Sequence, residues 1–304
     1  MDDHRLKVFC TVAETKSFSK ASEIIHLTQP AVSLQIQAIE EIYDTKLFDR
    51  SSSTVTLTPA GEILYKYAKQ ILSLYAQAEK EISSLTGLIK GSIRIGASTT
   101  IANYLLPSVI SDFKKINKKV RFHLLIGNTK RIVDYLNNGI ITFGLVEGDV
   151  SKYKLKAERI LKDELVVIVS PSHPYASRKS ISVHDLTKEP FILREEGSGT
   201  RQIIEKYLLK YGISSSDLNV TAILGGTEAI KETVEDGAGI SIVSKWAVRR
   251  EVSLGTLKMI PLKEERITRD FSLIHKNAVF NAATNEFLDY LQRYEYEKLF
   301  QRSR

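Results

Sequence analysis

Two short runs of the 304-residue chain bring hydroxyl groups and, in the second run, glycine to the start of a helical pattern: Ser98-Thr99-Thr100, and Glu196-Gly197-Ser198-Gly199-Thr200-Arg201. The chemistry such runs offer is recognition of an anion. The first turn of a helix leaves backbone N–H groups unpaired and carries the positive end of the helix dipole. Hydroxyls add further donors, glycine lets the backbone approach a ligand, and Arg201 adds a charge-assisted bond. Taken singly, each run also reads as ordinary N-capping, by Ser98 and by Thr200. Taken together, two such helix starts facing one another would hold a small oxyanion or carboxylate. Gly127, Asn128 and Thr129 form a secondary group at the same kind of position, as do Gly225, Gly226 and Thr227. Glu147 either selects a cationic feature of the ligand or is solvated, and solvation is the simpler expectation.

Catalytic constellations are missing from the sequence. The six histidines are scattered without an HExxH-like pair, no GxSxG elbow occurs, and Gly197-Ser198-Gly199 lacks the third glycine of a dinucleotide fingerprint. The single cysteine, Cys10, excludes an intramolecular disulfide and any CxxC motif, and it lies beside an apolar helix face as a core residue would. The expectation is therefore no catalytic residue, no metal and no cofactor. An enzymatic or solute-binding α/β domain with an accessory DNA-binding module is the alternative reading. A free-standing solute-binding protein would need a signal peptide, but Met1-Asp2-Asp3-His4-Arg5 is polar and no apolar stretch follows. No run reaches the roughly 20 apolar residues of a membrane helix, so a cytoplasmic protein without membrane contact is expected.

The elements that must position the hydroxyl runs follow from periodicity. After Gly91, strands and helices alternate: strand 92–97, helix 101–116, strand 120–126, helix 129–138, strand 140–146. A second set runs strand 165–170, helix 199–211, strand 220–224, helix 228–236, strand 240–243, then strand 271–275 and a closing amphipathic helix 281–296. This order argues for a mostly parallel α/β layer, in which ligands sit beyond the carboxyl ends of strands.

The first ninety residues are different. Leu6, Phe9, Val12 and Ala13 share one helical face, Ser17 caps a second helix with Phe18, Ala21, Ile24 and Ile25, and Thr28 caps a third with Pro30 in its first turn. Val32, Ile36 and Ile39 lie on one side of that third helix, and Pro30, Ser33, Leu34 and Gln37 on the other. Small and amide side chains on an exposed helix suit base edges, although a generic three-helix bundle has the same periodicity. A heptad-like series follows Pro59: Leu64, Tyr67, Ile71, Leu74, Ala78, Glu81, Leu85, with Ile82 beside the polar Glu81. Its 3-4 spacing predicts a seam between two helices, or one helix buried on its own domain. Gly87 and Gly91 flank the exit. The net charge of +7 suggests a polyanionic partner. Yet residues 1–90 hold ten Lys and Arg against eleven Asp and Glu, a net of −1, which leaves +8 on the remainder.

Residues 17–41 (SFSKASEIIHLTQPAVSLQIQAIEE), then LFDR at 47–50 and LTPAG at 57–61, resemble the LysR-type transcriptional regulators in motif order and spacing. The resemblance implies an α plus α/β chain with an N-terminal winged helix-turn-helix (1–58), a long dimerisation linker helix and hinge (59–90), and a two-lobed periplasmic-binding-protein-like effector domain (91–304). Lobe I would span about 91–161 and 268–304, lobe II about 162–267, with crossover strands near 158–165 and 264–271. It implies that residues 28–37 are the recognition helix and 49–56 the wing. Double-stranded DNA would then be contacted by Ser17, Lys20, Thr28, Gln29, Pro30, Ser33, Leu34, Gln37, Arg50, Ser52 and Thr54. It also implies a homodimer that pairs into a homotetramer, and an effector held by Ser98, Thr99, Thr100, Asn128, Thr129, Gly197, Ser198, Gly199, Thr200, Arg201 and Thr227. The GSGTR string resembles a subgroup associated with sulfur metabolism. Three departures stand out: Leu34 and Gln37 occupy positions where the family often carries cations, and Tyr43-Asp44 replaces a Leu-Gly pair. Asp44 is expected to keep the left-handed turn.

Overall fold

The computed structural model describes residues 3–25, 27–50, 55–86, 89–276 and 280–301. Helices α1 (Asp3–Thr15), α2 (Phe18–Ile25) and α3 (Gln29–Tyr43) pack Leu6, Phe9, Val12, Phe18, Ala21, Val32, Ile36 and Ile39 into one core, with Cys10 also buried. Ser17 caps α2 by accepting from the Lys20 N–H, and Thr28 caps α3 by accepting from the Ala31 N–H. At the end of α3, Asp44 takes the left-handed conformation (φ 44, ψ 41) and its N–H returns to the carbonyls of Glu40 and Glu41. The missing glycine therefore does not cost the turn. Strands β1 (Phe48–Asp49) and β2 (Thr56–Leu57) pair antiparallel as the base of the wing.

Helix α4 (Pro59–Thr86) is 28 residues long, roughly 42 Å at 1.5 Å per residue. It begins against the wing so closely that a Cβ on Gly61 would lie 2.1 Å from the Leu47 carbonyl oxygen. That contact is a physical reason for glycine in LTPAG. Glu14 ties α4 to α1 through Tyr65 and Lys69.

The sensor half contains β3 (Lys90–Ser98), α5 (Thr99–Tyr104), α6 (Leu106–Ile116), β4 (Lys119–Gly127), α7 (Thr129–Asn137), β5 (Phe143–Val146) and β6 (Lys156–Val169). Then come β7 (Pro190–Arg194), α8 (Gly199–Leu209), β8 (Asn219–Leu224), α9 (Thr227–Glu235), β9 (Ser241–Ser244), α10 (Arg249–Leu254), β10 (Lys258–Ile260), β11 (Ile267–His275), α11 (Ala282–Arg293) and α12 (Glu297–Gln301). Parallel pairs β3–β4 and β3–β5 build lobe I, and parallel β7–β8 builds part of lobe II. The long strands β6 and β11 pair antiparallel and run through both lobes. They make one mixed seven-stranded sheet of β10-β6-β11-β5-β3-β4, with β9 also on β6. The layer is thus less parallel than the alternating pattern predicts, because the two crossovers are themselves sheet strands.

Other differences have local causes. The helix expected over 101–116 is two, broken at Leu105, because Pro107 sits in the first turn of α6 and offers no N–H to the preceding turn. The strand expected from 140 begins only at Phe143, after Gly139 turns at φ 69. The strand expected over 165–170 is the last part of β6, continuous with the crossover expected near 158–165. Gly91 lies inside β3, paired with Val120 at φ 146, so it opens a strand; Gly87 falls outside the described residues.

Candidate functional site

The candidate reading face of the N-terminal domain is built by the α3 register. Its buried stripe leaves Thr28, Gln29, Pro30, Leu34 and Gln37 exposed and Ser33 half-buried. Leu34 is 64% exposed, so an apolar side chain stands at the centre of the face, suited to a thymine methyl group. Gln37 donates to Glu41 one turn on, at 3.0 Å. Lys20 is exposed and Ser17 half-buried on the adjoining helix. The Arg50 guanidinium stacks over the Phe18 ring at 4.3 Å, which holds it against the start of α2. Ser52 and Thr54 lie outside the described residues. The buried Glu40, unforeseen from sequence, accepts from the Leu47 N–H and Lys46 Nζ, each at 2.9 Å. Burial raises its carboxyl, but these donors outweigh that and hold it below the usual value.

On α4, one face closes on α1 and another does not. Leu64, assigned to the seam from spacing, instead packs half-buried against the helix-turn-helix core beside Ala68 and Leu72. Tyr67, Ile71, Leu74 and Ala78 are exposed, joined by Ile63 and Ile82. The apolar stripe therefore passes through Ile82 and avoids Glu81, which accepts from Gln77. The side chain of Leu85 lies outside the described residues.

The two hydroxyl runs meet between the lobes. Neither hydroxyl proposed as a cap is one. Ser98 precedes α5 but its side chain makes no cap bond; Oγ donates to Glu147 Oε2 at 2.5 Å. Thr100 Oγ1 donates to Glu147 Oε1 at 3.0 Å. Helix α8 is capped by Ser198, while Thr200 Oγ1 accepts from Arg269 Nη1 at 2.8 Å. Glu147 is 2% exposed, so the expectation that it is solvated fails: the end of β5 points it at the hydroxyls of β3 and α5. Thr99 and Thr227, from opposite lobes, both accept from Arg194 Nη1, at 3.2 and 3.1 Å. Asn128 caps α7 and reaches across to Glu195 at 3.2 Å. Thr129 is buried. Gly197 takes φ 84, and Gly199 abuts Gly148 so closely that a Cβ there would lie 2.6 Å from the Gly148 N. The lobes are shut against each other at this point. Arg201 turns away along α8 to Glu205 at 2.7 Å and to the Arg194 carbonyl, so it sits at the margin.

Sequence reasoning missed Arg194, Glu195, Asp163 and Arg269. Arg194 forms a bidentate pair with Glu195 (2.7 and 3.0 Å). Burial alone would raise Glu195, yet the Arg194 guanidinium keeps it below the ordinary carboxylate range. Arg269 donates to Asp163 at 2.8 Å, and Ser244 donates to the other Asp163 oxygen at 2.8 Å. Burial pushes the Asp163 carboxyl up against the pull of Arg269. Strand parity carried a signal: Asp163 alternates with Leu161 and Leu165, and Arg269 with Ile267 and Phe271, so both face the core side of their strands. Among the described residues, no cluster of three or more His, Cys, Asp and Glu is placed to hold a metal, and no helix is long and apolar enough to cross a membrane.

Residues 4–62 match the family model described as bacterial regulatory helix-turn-helix protein, lysR family, and residues 86–295 match the LysR substrate binding domain. The transcriptional regulator CysL of Bacillus subtilis is 32% identical over 292 residues, covering 96% of this chain and 97% of that protein. The transcriptional activator CmpR of Synechocystis is 32% identical over 289 residues, covering 95% and 94%. Among solved structures, the regulatory domain of Synechocystis CcmR in complex with 2-PG superposes with a TM-score of 0.62 at 27% identity, covering 67% of this chain and 96% of that one. Full-length OxyR from Pseudomonas aeruginosa, at 21% identity, shares the fold over 97% of this chain and 96% of its own, with a TM-score of 0.66. The chain belongs to the LysR-type transcriptional regulators: it is a DNA-binding regulator under the control of a small metabolite.

Proposed function

We propose that the effector carries an oxyanion or carboxylate and binds between the lobes, on the hydroxyls of Ser98, Thr99, Thr100, Thr129, Ser198, Thr200 and Thr227. The observation that supports this reading is that the Ser98 and Thr200 hydroxyls bond buried charged groups and neither caps a helix. Asn128, Gly197 and Gly199 shape the same wall, and Arg201 stands at its edge. The related CcmR domain with 2-PG bound is in keeping with a small ligand in this domain. The division runs 1–58 for the DNA reader, 59–90 for the linker and 91–304 for the sensor, with the lobes meeting along β6 and β11. In this reading the exposed stripe of α4 pairs two chains, two dimers pair in turn, and the protein works in the cytoplasm without catalytic turnover.

The mechanism is a population shift. Ligand favours one lobe arrangement, which alters packing between sensors and so the spacing of paired recognition helices on their half-sites. A ligand moves that equilibrium only by its differential affinity for the two arrangements. Ser98→Ala and Thr200→Ala test the reading. Both should abolish or weaken a metabolite-induced change in the operator footprint by tenfold or more in ligand concentration, and leave unliganded DNA binding intact. Unchanged ligand response in both variants contradicts the assignment.

A further inference from the structure

Five charged side chains meet in the cleft beside the hydroxyls: Arg194, Glu195, Arg269, Asp163 and Glu147. Arg194 is neutralised by its bidentate partner Glu195. Arg269 is committed to Asp163, whose two oxygens each accept a donor, from Arg269 and from Ser244. Glu147 shares Arg269 with Asp163 and holds the weaker part of it. Only two hydroxyls donate to it, and its nearest cation, Arg269 Nη1, stands at 3.7 Å while committed to Thr200. Each carboxylate oxygen retains acceptor capacity beyond one donor.

The opposite deficiency lies alongside. Arg269 is 4% exposed, yet its Nη2 has no hydrogen-bond partner. It stands at the start of α8, where Gly199 and Thr200 bring further N–H groups of the first turn. Thr129 Oγ1 and Gln202 Oε1 are likewise buried without partners in the wall where the lobes touch. Unsatisfied buried donors and a buried carboxylate that only shares its cation are both costly. A ligand that answers only one deficiency leaves the other; a bare dianion would bring further negative charge to Glu147.

Resting on the cleft reading above, we infer that the effector is zwitterionic: its carboxylate takes Arg269 Nη2 and the first turn of α8, and its ammonium takes Glu147. Small 2-amino acids have this chemistry. Their 2-hydroxy counterparts supply a donor without the charge, and sulfate supplies neither.

The full-length chain would be titrated by calorimetry and thermal shift with the proteinogenic 2-amino acids, their 2-hydroxy analogues, sulfate and inorganic phosphate. Binding is expected for one or more amino acids, weakened at least tenfold in Glu147→Gln and in Thr200→Ala, with the unliganded melting temperature and operator binding of each variant recorded as a folding control. A binder confined to sulfate, phosphate or hydroxy acids, unaffected by Glu147→Gln but lost in Thr200→Ala, overturns the zwitterion and leaves the cleft standing. An amino acid whose binding ignores both variants overturns the zwitterion and the cleft together. A panel in which nothing binds also overturns the inference.

Discussion

The reading face of α3 and the cleft between the sensor lobes both use small polar side chains, but they handle charge in opposite ways. The DNA-binding domain keeps its polar groups at the surface, on a region with a net charge of −1, and presents Leu34 and Gln37 where cations would be usual. The cleft buries Arg194, Arg269, Asp163 and Glu147, each at 4% exposure or less. A surface that meets DNA can be rebuilt one side chain at a time at small cost in stability. A buried charge network cannot, because removal of one partner strands the other. The buried network therefore constrains how the sensor lobes close.

Breaking that network is the largest effect expected. Arg269→Ala leaves Asp163 and Glu147 without their cation, and should destabilise the sensor by about 3–5 kcal/mol; urea unfolding followed by the lone tryptophan, Trp246, would read it. A loss below about 1 kcal/mol would place the network nearer to solvent than it lies here.

Glu40 is the corresponding test in the DNA reader. Glu40→Ala strands the buried Leu47 N–H and should cost about 1–3 kcal/mol, loosening the wing and weakening DNA binding with the sensor intact. Because the folded state lowers this carboxyl from 4.5, its stabilisation is complete above that value and fades as pH falls toward the lower folded one. Acid unfolding of wild type should lose this contribution, and that of the variant should not.

The smallest effect sharpens the surface side of the contrast. Gln37→Arg supplies one cation to the reading face and should steepen the salt dependence of DNA binding by about one unit of log–log slope. Binding isotherms at several salt concentrations measure it, and an unchanged slope would mean that position 37 does not reach phosphate.

The same contrast governs what could be read without a structure. Helices that expose one face announce themselves: Val32, Ile36 and Ile39 fix α3, and with it the outward side of Leu34 and Gln37. The wing and Gly61 follow from motif order, and the reason for the glycine, a backbone contact with Leu47, appears only in three dimensions. The apolar stripe on α4 is legible in the spacing but shifted, because Leu64 packs into the domain core. In the sensor, Ser98 and Thr200 were legible as hydroxyls at helix starts. Their partners were legible only as a parity, Asp163 and Arg269 falling on the apolar side of their strands, and parity does not say which charged groups meet. Arg269, Asp163 and Glu147 become intelligible only when β6 and β11 pair and bring side chains separated by more than a hundred residues into one buried group.

The most direct test of the account is a crystal structure of the full chain with a compound that shifts its operator footprint. The account predicts that compound between Ser98 and Thr200, with its anionic group on the first turn of α8 and on Arg269. An effective compound bound elsewhere, with the cleft unchanged from its arrangement here, would contradict it.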